Sequence, residues 1–217
     1  MSPKRSGRTK ALVSRRQSRT WKSDAEYIKD QQEFCSWSTD SNGWGDAAAF
    51  KFIQFGKLLE HSGSLCHDDR VADFGGNDGY VANQFYLAHK IKPLVVDCEP
   101  RRLDYAGKRY GLQTYEAFVE DMKDLADKSI DWGFCSHTLE HTRDVAKALR
   151  EIARVVKRGA YFVVPIEGKK HASENHGHAI SFVRMKDWED VLEENGWKII
   201  KSFMPGEHEA QFFAEPV

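Results

Sequence analysis

Asp73, Gly75, Gly76, Asn77 and Gly79 fall within Asp-Phe-Gly-Gly-Asn-Asp-Gly, between an apolar run, 71–74, and a helix-like run, 80–90. Strand, glycine turn and helix start is a geometry in which backbone rather than side chains meets a phosphate or nucleotide. The dinucleotide fingerprint Gly-x-Gly-x-x-Gly does not fit; the spacing is Asp73-x-Gly75-x-x-x-Gly79. Alone, such a turn is equally an ordinary tight connection. Asp97 adds weight, because it ends the next apolar run, 22 residues after Gly75, the separation that one strand–helix unit gives. A carboxylate there accepts hydrogen bonds from both hydroxyls of a ribose. Glu99, two residues on, reads instead as an acid at a helix start.

The second group of chemical residues is histidine. His137 and His141 lie in Ser136-His137-Thr138-Leu139-Glu140-His141, just after the apolar run that starts at Ile130. His171, His176 and His178 follow in a loop with Glu167 and Glu174. Imidazole titrates near neutrality and serves as a general base where an acceptor must lose a proton. His137, at a strand end, is the best placed. His176 and His178 read as a substrate loop, and His141, one helical step on, as a base or a structural group. Imidazole and carboxylate also suit divalent metals, but His-x-His in a glycine-containing loop often holds none, and no metal is expected.

The elements that position these residues alternate. Strands are predicted at 70–74, 93–97, about 113–119, 130–136 and 160–165. Helices are predicted to about 90, over 100–110, from about 143 to 156 and over about 185–195. Two strands, 197–203 and 210–214, close the chain around Pro205-Gly206. Repeated βα units imply a parallel sheet with right-handed crossovers and helices on both faces. Upstream, Ser23 and Glu26 form a capping box for a helix over 24–34. Phe52, Phe55 and Leu59 mark one face of a second helix, running from Asp46 to about Glu60. Phe34, Trp37 and Trp44 are either packing for an N-terminal cover or a lid over a ligand pocket.

The chain has 217 residues, 41% hydrophobic and 30% charged, which suits one α/β domain with a real core. No apolar run approaches the roughly 20 residues of a membrane helix. Cys35, Cys66, Cys98 and Cys135 form no Cys-x-x-Cys pair, so a reducing, cytoplasmic setting is expected. The net charge of −1 hides an asymmetry: residues 1–22 hold eight Lys/Arg and no acid, leaving 24 basic and 33 acidic residues, −9, in the remainder. That tail reads as a disordered solvating arm, as a nucleic-acid-binding arm, or as a transit peptide, although Leu12 and Val13 make a poor apolar face for the last.

The stretch around Asp73, Gly75 and Gly79 resembles motif I of the class I S-adenosylmethionine (SAM) methyltransferases, commonly Asp-x-Gly-x-Gly-x-Gly. Asn77 replaces the middle glycine, a substitution the turn tolerates because Asn adopts left-handed backbone angles. Leu139-Glu140-His141 and the segment 148–159, ending in Arg158-Gly159, are similar to the same family. The resemblance covers about 70–165 strongly and 165–217 loosely. It implies a Rossmann-like open sheet of seven mostly parallel strands, helices on both faces, and a C-terminal antiparallel hairpin. It implies SAM as cofactor, held by Asp73, Gly75, Gly76, Asn77, Gly79, Asp97, Cys98, Asp121, Met122 and Ser136, with Asp121 toward the adenine amine and Met122 against the ring. The resemblance also implies methyl transfer to an O or N atom, with a small-molecule acceptor favoured over a nucleic acid or protein held by the tail, or over a non-catalytic partner role. No Asn-Pro-Pro-Tyr-like tetrapeptide follows the fourth strand, which disfavours amino-methylating nucleic-acid enzymes. The expected division is a tail, 1–22, a helical cover, 23–69, and a SAM-binding domain, 70–217.

Overall fold

A computed structural model describes residues 21–34, 44–166, 178–180 and 182–217. His176, Cys35, Trp37 and the rest of the 167–177 loop lie outside these residues. The helices are α1 (Asp24–Phe34), α2 (Trp44–His61), α3 (Tyr80–His89), α4 (Pro100–Tyr110), α5 (Val145–Val155) and α6 (Met185–Glu194). The strands are β1 (Val71–Phe74), β2 (Leu94–Asp97), β3 (Thr114–Glu116), β4 (Ile130–Ser136), β5 (Val156–Pro165), β6 (Trp197–Gly206) and β7 (Glu209–Pro216). They form one seven-stranded sheet in the order β3-β2-β1-β4-β5-β7-β6. The first five pair in parallel, and β7 inserts antiparallel between β5 and β6. This is the expected α/β architecture, hairpin included.

Alternation along the strands divides the core between two faces. Phe74, Cys135, Phe162 and Val164 pack with α5 and with Trp188 of α6. Val71, Phe134, Tyr161 and Val163 point the other way, against α2 and α3. Phe52 of α2 is stacked between Phe85 and Phe134, with ring centroids 4.1 and 4.2 Å away. Helix α2, assigned from sequence to the cover, is therefore packed on the sheet itself. Helix α1 starts as its capping box predicts: Ser23 Oγ accepts the Glu26 N–H, and Glu26 reaches back to the Lys22 N–H. Trp21 donates its indole N–H to Asp30 and sits edge-on to Tyr27, so Trp21, assigned from sequence to the tail, packs against α1.

Candidate active site

The order of strands reverses between β1 and its two neighbours, β2 and β4. Ligands of open parallel sheets bind outside the carboxyl ends of strands at such a point. A cavity of about 270 Å³ lies there, with Gly75, Asn77, Asp97 and Cys98 in its wall. The turn that forms one side follows from its residues. Gly75, Asn77 and Gly79 all have positive φ, 74°, 54° and 74°. A Cβ on Gly75 would lie 2.2 Å from the Thr138 hydroxyl, so only glycine fits between β1 and the end of β4. The Gly75 and Gly76 N–H groups both donate to the Val96 carbonyl, which ties the turn to β2.

Asp97 completes that tie. Its Oδ2 accepts the Asn77 N–H at 3.0 Å and its Oδ1 accepts the Glu99 N–H at 2.9 Å. Each oxygen keeps a lone pair for another donor. Burial raises the Asp97 pKa, while those two N–H groups and Arg102 oppose the rise. Asp73 is buried behind the turn, and its Oδ2 has no hydrogen-bond partner. Burial first, then the nearby Asp97 and Asp78, push its pKa up to about 8. Gly76, Gly79 and Asp73 thus shape the cradle without lining it. Cys98 lines the cavity as a neutral thiol, its pKa pushed up by burial and by Asp97 and Glu120.

The segment after β3 departs from expectation. Asp121 is exposed and Met122 is fully buried in the core; neither lines the cavity. Val119 and Glu120 do. The cause is a clamp from α5: Glu151 accepts the Met122 N–H, and Arg154 donates to the Met122 and Leu125 carbonyls. That clamp accompanies a Met122 side chain turned under the sheet. Glu120 accepts the Arg143 N–H at 2.8 Å. Ser136, also expected at the cofactor, is buried at the strand end, and Thr138 lines the wall instead.

Three of the four candidate histidines, His137, His141 and His178, line the same cavity. His137, with φ 51°, has Nδ1 3.2 Å from Glu140 Oε1 and Nε2 3.2 Å from Glu209 Oε2. Lys51 also reaches Glu209, at 2.6 Å. Burial alone would lower the His137 pKa, but the two carboxylates override it and raise it to about 9. At neutral pH His137 is an imidazolium with both N–H groups engaged. It is thus a cationic strut and not the general base its position suggested. His141 and His178 stand edge to face, with ring centroids 4.8 Å apart.

Helix α1 roofs the cavity with Tyr27 and Gln31, residues that sequence reasoning left unassigned. The Tyr27 hydroxyl donates to the His141 carbonyl at 3.1 Å. Its ring meets Phe118 edge-on, with Arg143 stacked over both. Arg102, also missed, lines the wall one turn into α4 and donates to the Gln31 carbonyl. Its signal was its position five residues after Asp97.

Residues 72–164 match the family model described as methyltransferase domain. No curated protein sequence matches the chain significantly. Among solved structures the chain is similar to the YcgJ protein of Bacillus subtilis, at 20% identity over 73% of this chain and 72% of that one, TM-score 0.57. It is similar to a SAM-dependent methyltransferase of Thermotoga maritima, at 17% identity over 87% and 99% of the two chains, TM-score 0.60. It is also similar to the geranyl diphosphate C-methyltransferase of Streptomyces coelicolor, solved with S-adenosyl-L-homocysteine, at 11% identity over 76% and 77%, TM-score 0.63. At these identities the structural likeness concerns the fold. The cavity residues fit SAM: Asp97 offers carboxylate lone pairs for hydroxyl donors, and the Gly75–Asn77 turn brings backbone to the cavity wall. Residues 72–164, running from β1 to β5, thus match a methyltransferase domain, set in a sheet whose fold, antiparallel hairpin included, is similar to that of SAM-dependent methyltransferases.

Proposed function

We propose that this enzyme methylates an oxygen or nitrogen atom of a small molecule. The carrying observation is the roofed cavity, with Asp97 in its wall at the end of β2, Glu140, His141 and His178 in its wall beyond β4, and α1 across it. A recess roofed by one helix in this way suits an acceptor small enough to enter it.

SAM supplies a methyl group on a positively charged sulfur, already a good leaving group. The protein's share is therefore alignment and the exclusion of water. In this reading Asp97 accepts the ribose hydroxyls, Val119 and Glu120 border the adenine, and the Gly75–Asn77 turn approaches the methionine part. Tyr27 and Gln31 keep water out, and His141 and His178 face the acceptor. Among the described residues no helix is long and apolar enough to cross a membrane, and Cys66, Cys98 and Cys135 are free thiols. The free thiols favour a reducing setting, such as the cytoplasm.

Isothermal titration with SAM and S-adenosylhomocysteine tests the cofactor assignment. Labelled SAM offered with separated pools of metabolites, RNA, DNA and protein then tests the acceptor class. Label entering the metabolite pool supports the reading. Label entering only nucleic acid or protein, and lost on deleting residues 1–20, would replace it with a macromolecular substrate held by the basic tail.

A further inference from the structure

Glu140, His141 and His178 come together on the cavity wall in a way the sequence spacing did not indicate. Glu140 and His141 are consecutive on a 3₁₀ turn, Leu139–His141. His178 lies 37 residues on. Backbone brings it back: the Ala179 and Ile180 N–H groups both donate to the Glu140 carbonyl, at 2.7 and 3.2 Å. One ligand atom from each of the three side chains lies within 4.8 Å of the others. Glu140 is fully buried; its Oε1 is held by His137, and its Oε2 has no hydrogen-bond partner.

We propose that these three residues bind one divalent transition-metal ion, with an open coordination position on the cavity. Two imidazoles and one carboxylate form a donor set suited to Zn²⁺, Co²⁺ or Fe²⁺ and not to Mg²⁺, which prefers oxygen ligands and water. At a tetrahedral ion with bonds near 2.0–2.1 Å, ligand atoms stand about 3.3 Å apart. The Ala179 and Ile180 bonds to the Glu140 carbonyl already hold the two segments together, so contraction from 4.8 Å falls to the side chains. The buried Glu140 oxygen gains a partner it otherwise lacks. His137 becomes the outer group that holds the ligating carboxylate, itself fixed by Glu209.

Three protein ligands leave a position for an acceptor oxygen. A hydroxyl bound there loses its proton to solvent at a lower pH than it would in water. The O–H bond breaks, the electron pair stays on oxygen, and the metal keeps its oxidation state. That supplies a nucleophile without a protein base. The acceptor class is thus an alcohol or phenol that coordinates through oxygen. This last step rests on the methyltransferase reading; the metal site does not.

The test is a titration of tag-free, chelator-treated protein with Co²⁺ alone, followed by visible absorption and metal analysis. The expected result is one Co²⁺ per chain, undisturbed by excess Mg²⁺, with absorption bands that shift when azide is added. His178→Ala and Glu140→Gln should each lose that binding, and His137→Gln should weaken it by roughly 10- to 100-fold. Thermal melts in chelator show whether each variant is folded, and His178→Ala, at the loop side, serves if Glu140→Gln is not. Absence of stoichiometric Co²⁺, or binding unchanged in His178→Ala, overturns the site; bands indifferent to azide overturn the open position. SAM titration on the same samples keeps the two readings apart, since retained SAM binding without Co²⁺ refutes only the metal.

Discussion

Replacing Asp97 by Ala removes the one carboxylate that joins the glycine turn to the proposed ribose site. In the folded protein this side chain accepts the Asn77 and Glu99 N–H groups, one on each oxygen. With cofactor present it gains two hydroxyl donors. Hydrogen bonds to a charged group contribute about 1.5–3 kcal/mol each, so losing both costs about 3–6 kcal/mol of binding. At 1.4 kcal/mol per factor of ten, the SAM dissociation constant should rise by about 10²- to 10⁴-fold. The lower end applies if the orphaned Asn77 N–H captures a hydroxyl itself. Asp97→Asn keeps one acceptor and loses the charge, and should fall between the two. Titration calorimetry with SAM and S-adenosylhomocysteine measures both variants, and circular dichroism confirms that the fold is retained. A folded Asp97→Ala protein that binds SAM as tightly as the parent would refute the placement of the ribose at β2.

Three further outcomes are expected. The His137 pKa is raised from 6.5 to about 9, so its contribution to stability is full below pH 6.5 and is lost as pH climbs through 9; at 1.36 kcal/mol per unit it amounts to at most about 3 kcal/mol. Denaturant melts of the parent and His137→Gln should therefore differ most below pH 6.5 and converge above pH 9, and parallel curves would contradict the strut. Gly75→Ala meets the Thr138 hydroxyl at 2.2 Å and adopts a left-handed backbone costing about 1–2 kcal/mol, so both melting temperature and SAM affinity should drop; an unchanged melt would show that the turn relaxes freely. Deleting residues 1–20 should leave the melting temperature nearly unchanged, whereas deleting 1–22 removes the Trp21–Asp30 hydrogen bond and should lower stability by about 1 kcal/mol. Equal melts for the two truncations would remove Trp21 from the folded unit.

The sheet and its cradle were legible because their signals are local. Strand and helix periods alternate along the chain, and positive φ at Asn77 follows from a residue type that tolerates it. What escaped depends on partners distant in sequence. His137 looked like a base because its immediate neighbours gave no hint of Glu209, 72 residues away on β7. Asp121 and Met122 were placed by resemblance in a stretch after a three-residue strand, where no periodicity fixes which side chain turns inward; the Glu151–Arg154 pair on α5 decides it. Helix α2 carried its apolar face in plain view at Phe52, Phe55 and Leu59, but what that face would meet could be seen only once α3 and β4 were beside it.

Helix α1 lies across the cavity on contacts that are mostly polar: Tyr27 to the His141 carbonyl, Gln32 to Glu99, Arg102 to the Gln31 carbonyl, and Asp24 to Arg143. Polar contacts of this kind break singly, at about 0.5–1.5 kcal/mol for the neutral Tyr27 bond and about 1.5–3 kcal/mol where a charged group takes part, without opening the core. A roof so fastened makes traffic through the site a matter of timing. Tyr27→Phe, which removes the bond to the His141 carbonyl, is therefore expected to quicken release of S-adenosylhomocysteine in stopped-flow measurements, and an unchanged release rate would take α1 out of the path.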